Sequence, residues 1–134
     1  MDDLQLAINA ARAGGTILRE GFARGVTAQY KRRFDPVTEI DHASEAAVLS
    51  ILSEHRPGDA ILAEESGGTI KSGRLWIVDP LDGTVNFVHG IPQIAVSIAL
   101  WDNNQPLAGV IYDPLRDECF SAAAGEGAHL SGRR

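Results

Sequence analysis

A chain of 134 residues is long enough for one compact domain with its own core, and 44% hydrophobic with 22% charged residues is the balance of an ordinary globular protein. The net charge of −6 argues against a nucleic-acid polymer as partner, because neutralising its phosphates calls for a basic surface, but a small phosphate ester held through metal cations fits. No apolar run approaches the roughly 18 residues of a membrane span, the N-terminus has no basic or uninterrupted apolar leader, and Cys119 is the sole cysteine, so the expectation is a cytoplasmic protein with no membrane partner and no disulfide frame.

In residues 4–22 the spacing of Leu4, Ile8, Ala11, Leu18 and Phe22, with Gly15 counted among them, fits one face of an amphipathic helix that Gly25 would stop. Each glycine of the Gly14-Gly15 pair costs ~1 kcal/mol relative to alanine, so either the helix bends there or another backbone packs closely. Residues 26–38 read as extended and irregular. A second helix over 41–55 carries Ala47, Val48, Ile51 and Leu52 as its stripe, with Pro57-Gly58 beyond its end. Past Gly58 the period moves toward two, and residues 60–62, 75–78, 94–101, 107–112 and 119–123 are strand candidates. Asp102-Asn103-Asn104 and Asp113-Pro114 supply turns between successive runs, the pattern of an antiparallel meander. The fold class is therefore α+β, with N-terminal helices packed on a largely antiparallel sheet.

Chemistry concentrates where Trp76-Ile77-Val78 runs into Asp79-Pro80-Leu81-Asp82-Gly83-Thr84. Pro80 cannot donate to a sheet, so the strand is expected to end there, with Gly83 allowing a sharp turn and residues 84–87 starting a short helix. Asp79-Pro80 alone reads as a surface turn, but a second acidic element, Ala63-Glu64-Glu65-Ser66-Gly67-Gly68, also follows a strand candidate. If adjacent strands deliver both elements to one edge, ionised pairs at ~4 Å would repel by about 4 kcal/mol, which a hard divalent cation would relieve. All-oxygen donors favour magnesium or manganese, and His42, His55, His89 and His129 lack the close spacing of a zinc site.

Ala63-Glu64-Glu65-Ser66, followed by the stretch from Trp76 to Phe87, resembles the paired signature of the inositol monophosphatase family. Asp35-Pro36-Val37-Thr38 with Asp41, residues 94–100, and Gly125-Glu126-Gly127-Ala128 before Ser131-Gly132 are similar to further landmarks in the same order. The resemblance implies that the chain is the N-terminal metal- and phosphate-binding portion, residues 1–134, of a layered α/β sandwich of the inositol monophosphatase/fructose bisphosphatase fold, without its C-terminal half. The family's later Trp-Asp motif, whose aspartate completes the metal site and positions the leaving group, has no counterpart in these residues.

By this resemblance Glu64, Asp79 and Asp82 would bind the catalytic magnesium ions, with manganese a possible substitute, and Leu81 would contribute its carbonyl. Gly83 and Thr84 would hold the phosphate, Glu64 and the Thr84 hydroxyl would orient and activate water, and Asp41 would support Thr84. Asp41 could instead cap the second helix; Glu65 either lies close to the metals or is a solvated acid; Lys31 either nears the phosphate or belongs to a basic loop with Arg32 and Arg33. Trp76 and Phe87 read as core, and His89 has no evident task. Ala63 stands where the family often has glycine, which matters only if that position needs positive φ.

The implied activity is a lithium-sensitive, magnesium-dependent phosphomonoesterase acting on myo-inositol monophosphate, and a full-length form would be a homodimer. Histidinol phosphate, fructose bisphosphate and 3′-phosphoadenosine nucleotides are alternative substrates of the family. A non-catalytic metal-binding or assembly module is the alternative from another class.

Overall fold

The computed structural model describes residues 1–25, 39–63 and 73–133. Helix α1 spans Asp3–Arg24 and helix α2 Glu39–His55. The Asp2 carboxylate caps α1 by accepting from Gln5 N at 2.8 Å, and Gly25, left-handed at φ 68°, closes its far end through an N–H bond to Phe22 O at 3.1 Å. Its buried face combines Leu6 and Leu18 with small residues, among them Ala7, Ala10, Ala11, Gly14 and Gly21, while Leu4, Ile8 and Phe22 lie half-buried beside it.

Gly14 and Gly15 lie within this one helix, and what comes nearest to them is side chain, with the Ser44 backbone carbonyl also 3.5 Å from where a Gly14 Cβ would stand. A Cβ on Gly14 would stand 2.8 Å from Ser44 Oγ of α2, and one on Gly15 would run into the Tyr112 ring. Tyr112 is buried, with its hydroxyl donating to Asp117 at 2.7 Å and Arg12 stacked over its ring at 5.0 Å, so it has little freedom to retreat. Gly15→Ala is therefore expected to lower the urea midpoint by about 1–2 kcal/mol of stability, although alanine alone would gain ~1 kcal/mol in a helix. Gly58→Ala, where nothing lies within 4 Å, is the control and should leave the midpoint unchanged or slightly raised. A Gly15→Ala midpoint equal to the parent would show that the ring gives way.

The sheet follows in sequence order: β1 Ala60–Ala63, β2 Arg74–Asp82, β3 Ala95–Asp102, β4 Gln105–Asp113, β5 Glu118–Ala123 and β6 Ala128–Leu130, with helix α3, Thr84–Val88, between β2 and β3. Every neighbouring pair is antiparallel except β1 and β2, which run parallel with Ala63 opposite Val78. Strand β6 was not anticipated, since three residues are too few to show a period.

Strand β2 also corrects the expectation that Pro80 ends it. Pairing with β3 holds at Asp79 with Ser97 and resumes at Asp82 with Ala95, which leaves two residues of β2, Pro80 and Leu81, opposite one of β3, Val96. Pro80 falls in this bulge, where its missing N–H costs no ladder bond.

The helices cover one face of the sheet. Trp76, Val78, Val96, Ile98, Leu100 and Val110 point at α1 and α2, each no more than 2% exposed. Complete burial of side chains of this kind stabilises by roughly 1.5–3 kcal/mol each.

One end of the core is held by ions: Asp59 accepts from Arg74 Nε and from Trp76 Nε1 at 2.9 Å, while Asp3 accepts from Arg74 Nη2 at 2.9 Å and Arg56 Nε at 3.0 Å. Burial pulls the Asp3 carboxyl upward, but hydrogen bonds and charge from Arg74 and Arg56 outweigh it and hold its pKa below the usual carboxylate value. Among the described residues no helix is long and apolar enough to cross a membrane.

Candidate functional site

The end of β2 is pinned from three sides. Inside the turn, Leu81 N donates to Asp79 Oδ1 at 3.3 Å and Thr84 Oγ1 donates to Leu81 O at 3.2 Å. From α2, Ser44 Oγ donates to Pro80 O at 2.8 Å in a fully buried position. Beyond the turn, Gly83 at φ 98° caps α3, and Phe87 N returns to Gly83 O at 2.9 Å. Asn86 Nδ2 then donates to Gln93 O at 2.9 Å and Ile91 N to Asn86 O at 2.8 Å, fastening the chain after α3 against the start of β3.

These contacts gather Asp79, Leu81, Asp82, Gly83 and Thr84 on one rigid turn. Asp79 is half-buried, Asp82 is exposed, and a depression of about 320 Å³ lies against Asp82, Gly83, Asn86 and Gln93. That volume is at the lower end of what a small-molecule site requires. Asp79, Asp82 and the Leu81 carbonyl are oxygen donors with no sulfur or imidazole among them, a set that suits a hard divalent cation. Among the described residues no three His, Cys, Asp or Glu side chains converge to hold a metal by themselves.

Asp41 is not the helix cap it could have been. It lies inside the first turn of α2, 2% exposed, three residues before Ser44 and therefore on the face that bonds Pro80. Glu45, 8% exposed on the same helix, is a further buried acid that sequence reasoning passed over. Ser44 was missed as well, although its place four residues before Val48 put a hydroxyl on the apolar stripe, a signal that could have found it.

Trp76 and Phe87 are core residues as anticipated, with Phe87 edge-on to Phe22 at 5.7 Å between ring centres. His89 is exposed just after α3. Ala63 ends β1 at an ordinary extended position, so alanine in place of glycine carries no strain there. Glu64, Glu65 and the glycines after them, Lys31 to Arg33, and Asp35 to Thr38 lie outside the described residues.

The model of the inositol monophosphatase family matches residues 2–134. The chain belongs to the inositol monophosphatase family. It is 41% identical to inositol monophosphatase 1 of Solanum lycopersicum, covering 97% of this chain and 50% of that protein, and 42% identical to Nus factor SuhB of Pasteurella multocida, covering 98% and 51%. Among solved structures, SuhB from Bartonella henselae superposes with a TM-score of 0.90 at 40% identity over 97% of this chain and 52% of that one. The inositol monophosphatase from Anabaena gives 0.84 at 44% identity over 97% and 47%. Helices on a mostly antiparallel sheet are thus the architecture of half of an inositol monophosphatase fold, and the chain spans about half the length of the curated relatives it matches.

Proposed function

We propose that this chain supplies the metal- and phosphate-binding side of a phosphomonoesterase that hydrolyses myo-inositol monophosphate or a related small phosphate ester. The observation that carries the reading is the pinned turn from Asp79 to Thr84, which holds Asp79, Asp82 and the Leu81 carbonyl next to the start of α3 at Gly83 and Thr84. Asp79, Asp82 and the Leu81 carbonyl would hold magnesium, or manganese in its place, together with Glu64. Ala63 opposite Val78 supports that grouping, because parallel β1 and β2 end at one edge of the sheet. Bound magnesium would make water acidic and offset charge on the leaving alkoxide.

The rest is the work of this chain's residues. Thr84 spends its proton on Leu81 O, which leaves lone pairs on Oγ1 to accept from a water and orient it. Glu64 takes a proton from that water as its oxygen attacks phosphorus, the ester P–O bond breaks, and the departing alkoxide takes up a proton to give the alcohol and inorganic phosphate. Asp41, buried on the helix that braces Pro80, would keep the turn and Thr84 in place.

Magnesium or manganese at millimolar concentrations is expected to raise the thermal midpoint. A tenfold excess over the dissociation constant stabilises the folded state by about 1.4 kcal/mol. Asp79→Asn and Asp82→Asn should each reduce that rise. Equal midpoints with and without metal, up to tens of millimolar, would refute a metal site formed by this turn.

Relatives called Nus factor SuhB match as well as those called inositol monophosphatase, which favours a second reading: a metal-binding assembly module without turnover. Metal-dependent stabilisation with no phosphate release from a complete form would select it.

A further inference from the structure

A hydroxyl inside a helix ordinarily donates to the carbonyl four residues back. Thr16 does so to Arg12 O and Ser53 to Leu49 O. Ser44 does not. Fully buried on α2, it gives its one proton to Pro80 O, 36 residues along the chain, at 2.8 Å. Burying a hydroxyl costs free energy that alanine at the same place would not incur, unless the hydroxyl is bonded. The neighbouring helix also makes room for it, since a Cβ on Gly14 would stand 2.8 Å from Ser44 Oγ.

The acceptor lies in the bulge, where Pro80 and Leu81 together face Val96 and a regular ladder is lost. Side-chain hydroxyls serve both bulge carbonyls, Thr84 bonding Leu81 O at 3.2 Å and Ser44 bonding Pro80 O. The Pro80 carbonyl and the Leu81 N–H are the two ends of one planar peptide group, so fixing the oxygen fixes the direction of the N–H. That N–H donates to Asp79 Oδ1 at 3.3 Å. The bond is longer than the usual ~2.9 Å, and a bond so long restrains a carboxylate only when the peptide that makes it is itself held. Hydrogen bonds in series also polarise one another, so donation from Ser44 strengthens the Leu81 N–H as a donor.

We propose that Ser44 is a positioning residue for Asp79: through the Pro80–Leu81 peptide its hydroxyl sets the direction in which the Asp79 carboxylate is presented to a cation. The inference rests on the reading of Asp79 as a metal ligand and extends that site to a side chain of α2, which touches neither metal nor substrate. Groups that orient a ligating carboxylate contribute to metal affinity about as such partners do elsewhere, by roughly 10–100-fold.

The test compares Ser44→Ala with Leu52→Ala in the 134-residue chain. Leu52→Ala empties a fully buried place about two turns further along α2 and leaves the bond to Pro80 intact. Both variants should lower the urea midpoint. At a temperature where all the proteins are folded, the Leu81 amide hydrogen should exchange at least about tenfold faster in Ser44→Ala than in Leu52→Ala. Manganese uptake, read from the paramagnetic resonance of the free ion, should weaken at least about tenfold in Ser44→Ala and stay at the parental value in Leu52→Ala. Asp79→Ala, which leaves Ser44 in place, should speed exchange at Leu81 in the same way and tests the second link even where Ser44→Ala does not fold. Leu81 exchange no faster in Ser44→Ala than in Leu52→Ala, or unchanged in Asp79→Ala, would overturn the proposal. Faster exchange with parental manganese affinity would overturn it too, because Ser44 would then serve folding alone. A parent chain that takes up no manganese sinks the metal reading instead, and exchange at Leu81 still decides whether Ser44 acts on Asp79.

Discussion

Stripped with chelator and then given magnesium, the 134-residue chain is expected to release phosphate from myo-inositol 1-phosphate at least about a hundredfold more slowly than a full-length relative. A hundredfold corresponds to ~2.7 kcal/mol of transition-state stabilisation. Two physical reasons support the figure. The resemblance assigns an aspartate of a later Trp-Asp motif to the leaving-group side of the metal site, whereas the one Trp-Asp pair in this sequence, Trp101-Asp102, lies opposite Leu75 and Arg74 at the far end of β2 from Asp79. The site also lies open to solvent at Asp82, and displacing reacting groups by ~1 Å can cost about two orders of magnitude. Phosphate release and light scattering on the same sample make the measurement. Near-normal turnover from a monodisperse monomer would show that this half is a sufficient enzyme.

Gly83→Ala is expected to damage both stability and metal response, because two independent constraints meet at that residue. Its φ of 98° is one that side chains rarely adopt, and an added Cβ would stand 2.6 Å from the Gln93 carbonyl oxygen. Backbone lies on both sides of that contact, so relief requires moving the start of β3 or the turn itself. A loss of at least ~2 kcal/mol in urea is expected, with the metal-induced rise in thermal midpoint abolished. Asn86→Ala separates the effects: it removes the bond to the same carbonyl without the clash, and should cost only about 1 kcal/mol. A Gly83→Ala protein with parental midpoint and parental metal response would show that the turn relaxes freely and that its geometry is not what binds the cation.

Much of this protein is legible in local signals. The 3.6-residue period located α1 and α2, the change to alternation located β1 to β5, and the run from Trp76 through Thr84 marked the turn at which carboxylates, a carbonyl and a helix start converge. Period, turn chemistry and the conformational limits of proline and glycine act within a few residues, and a sequence states them directly. What the tertiary structure alone decided depends on which surfaces meet. Whether Pro80 ends its strand depends on a bulge set by the register with β3, and whether Asp41 is a cap or a buried acid depends on α2 packing onto that bulge through Ser44 and the Pro80 carbonyl. The parallel pairing of β1 with β2, which turns both strand ends toward one edge, is likewise invisible to periodicity, because alternation is the same in either direction. Alternation also leaves open which of two apolar faces the helices choose, and only the packed structure shows Ile111, Phe120 and Leu130 left in water.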